Sequence, residues 1–197
     1  IKMMTIGDSA SFIVRTDSTF MTLFQLPTLP VEFSAADIMR FDVKLNDFYP
    51  ESEFASKQIE YMKKIYINET EKAESELENY LEENNYNPIK TQSGLYYLQT
   101  KSGNGEKPKV GTLVKVHYTG KLMDGTELDS SVSTNEPFQF VLGIGRVIPG
   151  WDEGIQLMSK GEKGILFIPY YLGYGDRGAG TIPPFATLIF DVELIDF

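Results

Sequence analysis

The chain has no cysteine and one histidine, His117, among its 197 residues. Disulfides, thiolate metal sites and cysteine nucleophiles are therefore excluded together. One histidine supplies no multi-histidine metal set, and by strand parity it points away from Val116 and Tyr118 and reads as a structural or surface residue rather than a member of a Ser-His-Asp arrangement. No apolar run approaches the ~20 residues that a membrane-spanning helix needs. Basic residues are few, 18 Lys and Arg against 28 Asp and Glu, and the net charge of −10 disfavours nucleic acid, whose binding depends on clustered cations. The lack of cysteine does not fix a compartment, since both oxidising and reducing surroundings accept it. There is no starting Met and no charged leader, so Ile1 reads as the start of a mature chain or a fragment.

What is present is a rich supply of core formers, with 42% hydrophobic and 13% aromatic residues. The densest stretch runs from Val116 to Pro184. Val114, Val116 and Tyr118 alternate with polar neighbours as a half-buried strand requires, as do Phe138, Phe140 and Leu142, and then Leu188, Phe190, Val192 and Leu194. Asp124-Gly125 between two apolar segments is a hairpin signal. Pro149 fits the first turn of a short helix through Ile155 to Met158, and Gly161 fits a left-handed position after it. The sheet needs an apolar cover on its inner face, and this helix is the local candidate.

The chain also resembles itself. Ile1 to Val14 aligns with Ile155 to Ile168, and Phe41 to Phe48 matches Phe190 to Phe197 at six of eight positions. Leu26-Pro27 and Leu29-Pro30 fall near the place of Ile182-Pro183-Pro184. Recurrence in the same order predicts a partial repeat at residues 1–48 that corresponds to the C-terminal part of the later unit, with its upstream half expected outside this chain. Between the copies, Phe54, Tyr61, Met62, Ile65, Leu77, Tyr80 and Leu81 recur at three- and four-residue steps, which predicts one acidic linker helix from about 51 to 85, stopped by Asn84-Asn85. A coiled-coil dimer arm is the alternative, against which the stripe is too irregular for clean heptads. The Asn68-Glu-Thr70 sequon reads as incidental.

Several groups can be weighed for chemistry. Gly143-Ile-Gly145 opens like a dinucleotide fingerprint but lacks its third glycine and sits among strands. The carboxylates Asp124, Glu127, Asp129, Asp152 and Glu153 have no calcium-loop spacing and read as solvated surface. What is left is the apolar set with its few polar atoms: Val116-His-Tyr-Thr-Gly120, Leu128-Asp-Ser-Ser131, Pro137-Phe-Gln-Phe-Val-Leu142, Val147-Ile-Pro-Gly-Trp151 and Tyr174-Gly-Asp-Arg-Gly-Ala-Gly-Thr-Ile-Pro-Pro184, closed by Phe190-Asp-Val-Glu-Leu194.

In order and spacing these segments closely resemble the FKBP-type peptidyl-prolyl cis/trans isomerases over about residues 93–197. The Tyr174–Gly180 wording is most similar to the bacterial macrophage-infectivity-potentiator class. The two-unit layout resembles envelope FKBP-type proteins, often lipoproteins, of Bacteroides-like bacteria, which places the expected location in the cell envelope. The resemblance implies an α+β fold: an antiparallel sheet wrapped around a short helix at 91–197, preceded by a degenerate FKBP-like part at 1–48 and a linker helix at 49–90. It implies a pocket with Trp151 as floor and Tyr118, Phe138, Val147, Ile148 and Phe190 as walls. Tyr174 would donate its hydroxyl to a substrate carbonyl, and the Ile148 N–H would orient the peptide. Asp129 would face the twisting imide, and Ile182 would shape the rim. The catalytic expectation falls on Asp129, Tyr174 and Tyr118.

The sequence departs from that pattern in three places. Leu128 stands where the family usually has Phe, Ala179 where its best-known eukaryotic members have His, and the Tyr174–Pro183 loop is shorter by a residue. These put substrate preference and macrolide affinity in question rather than the activity. Expected partners are proline-containing unfolded or exported polypeptides, macrolide inhibitors and a second copy of the chain; no cofactor or metal is expected. Two readings stay open: an isomerase assisting folding of exported proteins, and a non-catalytic chaperone or scaffold that binds extended chains. The second is motivated by the first copy, where Phe20 falls opposite Tyr174 and lacks its hydroxyl.

Overall fold

The computed structural model describes residues 8–15, 34, 37–44 and 51–197. The chain divides into two compact units, residues 1–54 and 55–197. In the first, strands β1 (Ser9–Arg15) and β2 (Ile38–Lys44) pair antiparallel, with Ser11 opposite Asp42 and Phe12 opposite Phe41. Alternation sets Ala10, Phe12 and Val14 on a half-buried face and Ser9, Ser11, Ile13 and Arg15 on an exposed one. The sequence expectations on Ile1–Gly7, Phe20, Leu26-Pro27, Leu29-Pro30 and Phe48 lie outside the described residues.

The single helix expected over 51–85 is two helices, α1 (Glu51–Ile65) and α2 (Ile67–Glu83). The break is at Tyr66, at φ −108° and ψ 50°, with no glycine or proline there. The Thr70 hydroxyl donates to the Tyr66 carbonyl at 2.8 Å, a back-bond that bends helices by competing with the backbone ladder. It also meets the Tyr170 hydroxyl at 2.7 Å, so the bend is held from within the core. The break divides the expected apolar stripe. Leu77 and Leu81 are buried and Tyr80 is half-buried, whereas Tyr61 and Ile65 are 62% and 49% exposed. Buried Thr70 lies within the sequon.

The second unit is built on an antiparallel sheet of β3 (Ile89–Lys90), β4 (Tyr96–Lys101), β5 (Leu113–Leu122), β6 (Glu127–Ser130), β7 (Phe138–Val141), β8 (Lys163–Ile168) and β9 (Leu188–Asp196). Its spatial order is β3-β4-β8-β9-β5-β6, and β7 pairs with the start of β5. Short helices α3 (Ser131–Thr134) and α4 (Pro149–Leu157) complete it. Helix α4 covers the inner face. Its Gly150 and Gly154 make the approach possible, because a Cβ would lie 2.5 Å from Ile168 Cγ2 and 2.6 Å from Leu166 Cδ1. The outer face is covered by α2: Leu77 and Leu81 pack with Tyr96, Ile165, Phe167 and Ile189. Each fully buried leucine of this kind contributes about 1.5–3 kcal/mol.

The two pairs of strands share one register. By the sequence alignment Phe12 corresponds to Leu166 and Phe41 to Phe190, and Phe12 faces Phe41 as Leu166 faces Phe190. Ser11 and Asp42 likewise correspond to Ile165 and Asp191, and both are facing pairs. The outer-face positions differ in kind. Apolar Ile165 and Ile189, which receive α2, are replaced by Ser11 and Arg40.

Candidate functional site

A cavity of about 410 Å³ opens between β5, β6, β7, α4 and the loop after β8. The ten residues singled out from sequence (Tyr118, Leu128, Asp129, Phe138, Val147, Ile148, Trp151, Tyr174, Ile182 and Phe190) all line it. Arg146, Ala179, Gly180 and Thr181 also line it and were not singled out as site residues. Nothing in the sequence marked Arg146, an exposed cation in a glycine loop. The other three follow from the position of Ile182, because the turn that carries it is closed by paired bonds between Ala179 and Ile182 at 2.8 and 3.0 Å.

Trp151 is only 4% exposed and sits in an aromatic cluster. Its ring meets those of Tyr118 at 5.0 Å, Phe190 at 5.2 Å and Phe140 at 5.8 Å, mostly edge to face. Pro149 at the first helical position starts α4, which puts Trp151 on the buried side with Gly154 and Ile155. Gly120 on β5 leaves room for the Phe190 wall, since a Cβ there would lie 2.4 Å from the Phe190 ring.

Of the few polar side chains that line the cavity, Tyr118 and Asp129 are held by hydrogen bonds. The Tyr118 hydroxyl donates to Asp129 Oδ2, and the Ser130 N–H donates to Oδ1 at 2.8 Å, so both carboxylate oxygens are oriented. Burial, then the bond to Asp129 and its charge, push the Tyr118 phenol well above its ordinary value, and it stays protonated at neutral pH. Ile148 caps α4 in an extended conformation at φ −60° and ψ 148°. Its carbonyl accepts from Trp151 and Asp152, while its N–H donates to no group among the described residues.

Two sequence expectations about polar residues need correction. Asp152 is not solvated surface: it accepts from the Gly143 and Gly145 N–H groups at 2.7 and 2.9 Å and so holds the loop leading into Val147. The Gly-x-Gly pattern is therefore a clasp for a carboxylate in the first turn of α4. Glu153 accepts from Ser93 at 2.6 Å, and Asp124 from the Thr126 N–H at 2.9 Å in the β5–β6 turn. Among the described residues no three His, Asp or Glu side chains converge as a metal site. His117 lies outside the cavity and contacts Ser131 Oγ at 3.1 Å.

Tyr174 is 43% exposed at the rim, and the loop bearing it is tied to the helix break. The Tyr66 hydroxyl donates to Asp176 Oδ2 at 2.7 Å, and its ring meets Phe185 edge to face at 5.3 Å. Phe185 adopts φ +60°, a left-handed conformation that costs a non-glycine residue about 1–2 kcal/mol and needs such support. Tyr66 had no place in the apolar stripe, and no local signal marked it. In Tyr66→Phe the amides of residues 175–185 are expected to exchange roughly fivefold faster, as loss of one hydrogen bond of about 1 kcal/mol implies. Exchange in β5 and β8 should be unchanged, and hydrogen exchange followed by mass spectrometry checks both.

Comparison with known proteins gives consistent results. The family model described as FKBP-type peptidyl-prolyl cis-trans isomerase matches residues 104–195. The FKBP-type peptidyl-prolyl cis-trans isomerase FkpA of Aeromonas hydrophila is 56% identical over 105 residues, 53% of this chain and 38% of that protein. FK506-binding protein 1A of Aspergillus fumigatus is 57% identical over 95 residues, 47% of this chain and 85% of that protein. The crystal structure of FkpA from Escherichia coli superimposes with a TM-score of 0.58 at 39% identity, covering 74% of this chain and 67% of that one. The chain thus spans well under half of the length of the Aeromonas protein.

Proposed function

The chain belongs to the FKBP-type peptidyl-prolyl cis-trans isomerase family, and from that premise we propose that residues 91–197 catalyse rotation about Xaa-Pro bonds in polypeptides. The observation that carries this is the cavity itself, in which aromatic and aliphatic walls surround a small number of polar groups, Asp129 and Tyr118 fixed among them. An Xaa-Pro bond isomerises slowly because rotation breaks amide resonance, against a barrier of about 18–20 kcal/mol. The planar amide is strongly dipolar and well hydrated, and the twisted one less so. Moving it over Trp151 and between Tyr118, Phe138 and Phe190 strips that hydration and raises the planar form relative to the twisted one. Each ~1.4 kcal/mol of such difference is a tenfold rate increase.

The polar groups have distinct roles in this reading. The Ile148 N–H and the Tyr174 hydroxyl donate to substrate carbonyls on the two sides of the proline. Asp129, fixed by Tyr118 and Ser130, presents its carboxylate to the twisting imide. Leu128 shapes the wall near β6, Val147 the wall before α4, and Ile182 the rim. No covalent bond to the enzyme forms or breaks. A spectroscopic assay of cis-to-trans conversion in Xaa-Pro peptides should show acceleration, reduced roughly tenfold in Tyr174→Phe and at least tenfold in Asp129→Ala, as loss of one hydrogen bond or one oriented charge implies. No acceleration by the wild-type chain would overturn the proposal.

The rest of the layout follows as proposal. Residues 1–48 form the C-terminal part of a degenerate FKBP-like unit, a reading supported by the shared register of β1–β2 and β8–β9. Residues 49–90 are the linker. The clients are proline-containing polypeptides exported to the cell envelope, a location supported by the resemblance of the two-unit layout. Macrolides enter the same cavity, with Leu128 offering less contact than an aromatic wall.

A further inference from the structure

A second groove, of about 680 Å³, lies beside the cavity and shares Tyr174 with it. One wall is helix α1, through Tyr61, Met62 and Ile65; the other is the loop from Gly173 to Arg177. Pro149, at the start of the helix that carries Trp151, forms part of it. Tyr61 and Ile65 are 62% and 49% exposed, one helical turn apart on one face. That turn rises about 6 Å, the length of two residues of extended chain. The groove is held in shape by the bond from Tyr66 to Asp176 and by Met62 packing over Gly175, where a Cβ would lie 3.6 Å from Met62 Cε.

From this continuity we propose that the α1 groove binds the stretch of an extended client polypeptide flanking the proline, with an apolar side chain seated against Tyr61 and Ile65. The occupant follows from the geometry. A peptide held by the Tyr174 hydroxyl on the cavity side passes the same ring as it leaves, and beyond that ring it meets exposed apolar surface. A short peptide ends before reaching it. The linker helix thereby becomes part of the substrate site and confers a preference for long, unfolded chains. The inference rests on the proposed assignment of the cavity to Xaa-Pro peptides.

The test compares a four-residue with a twelve-residue Xaa-Pro peptide, the latter carrying leucines on both sides, on the wild type and on Tyr61→Ser/Ile65→Ser. Both side chains are exposed, so circular dichroism should report an unchanged fold. The ratio of kcat/KM for the long over the short peptide should fall roughly tenfold in the variant, through KM, because the contact is made equally in ground and transition states. Direct binding of the two peptides, dye-labelled and followed by anisotropy, gives a readout independent of turnover. If neither peptide is isomerised but the variant still loses the extra affinity of the long one, the groove inference stands and the isomerase proposal falls. If both are isomerised and the ratio is unchanged, the groove inference is wrong. A wild-type dimer that dissociates in the variant, at unchanged long-peptide affinity, would assign the surface to a second copy and overturn it as well.

Discussion

Trp151→Ala is expected to lower the melting temperature of the C-terminal unit by about 10 °C and to abolish measurable isomerisation. The side chain is 4% exposed and meets four rings, those of Tyr118, Phe138, Phe140 and Phe190. Removing a buried tryptophan costs about 3–5 kcal/mol through lost transfer energy and the cavity left behind. For a unit of this size each kcal/mol shifts the midpoint by about 2–4 °C. The functional loss exceeds what destabilisation explains, because the floor that keeps water from the proline ring is gone. Trp151→Phe separates the two effects. Among the described residues the buried indole Nε1 has no partner, so exchanging the indole for a smaller phenyl ring sacrifices no hydrogen bond and keeps part of the ring contacts. The Phe variant should recover most of the stability and part of the activity. Thermal unfolding by circular dichroism and peptide turnover measured on the same samples decide this, and full activity in the Ala variant would remove Trp151 from the site.

The second large effect concerns pH. Burial pushes the phenols of Tyr97 and Tyr171 far above their ordinary value of 10.0, and hydrogen bonds to Glu162 and Glu74 push them further. Tyr118 shifts in the same direction for the same reasons. In the unfolded chain these phenols ionise near pH 10; in the folded chain they hold their protons beyond it. Above pH 10 the native state therefore binds more protons than the unfolded state, and stability falls as pH rises. Their contribution is complete below pH 10 and disappears through the alkaline range. Each such phenol lowers stability by up to about 1.4 kcal/mol per pH unit there, with Tyr118, open to the cavity, contributing less because of solvent screening. Urea midpoints followed by circular dichroism should drop steeply between pH 10 and 11. In Tyr97→Phe/Tyr171→Phe the drop should be much shallower. A wild-type midpoint constant through that range would contradict the assignment.

The same two tyrosines show where sequence reading ends. Tyr97 and Tyr171 are 74 residues apart, and neither has a local pattern that announces a carboxylate partner. Glu162 is a case in point. Burial alone would raise its carboxyl, yet the bonds from Ser159 and Tyr97 hold it below the ordinary value. By contrast, the cavity was legible. Phe138 and Phe140, Tyr118 and Val116, and Phe190 and Val192 carry a period of two, and Pro149 marks a helix start, so strand faces and the helix that places Trp151 follow from local rules. Tyr61 and Ile65 gave the opposite outcome. Their spacing matched Leu77 and Leu81, yet the break at Tyr66 turned them to solvent.

The sequence by itself determined the strand faces, the helix start at Pro149 and the inner cover, because each is written in short-range periodicity and turn chemistry, and the ten cavity residues followed from the family resemblance carried by the order of the motifs. Only the tertiary structure decided that the linker breaks at Tyr66, that Asp152 clasps the glycine loop, and that α1 borders the rim at Tyr174. Those features depend on hydrogen bonds and ring contacts between residues as far apart as Tyr66 and Asp176. Local propensity does not encode such pairs; they form when packing has already brought their elements together.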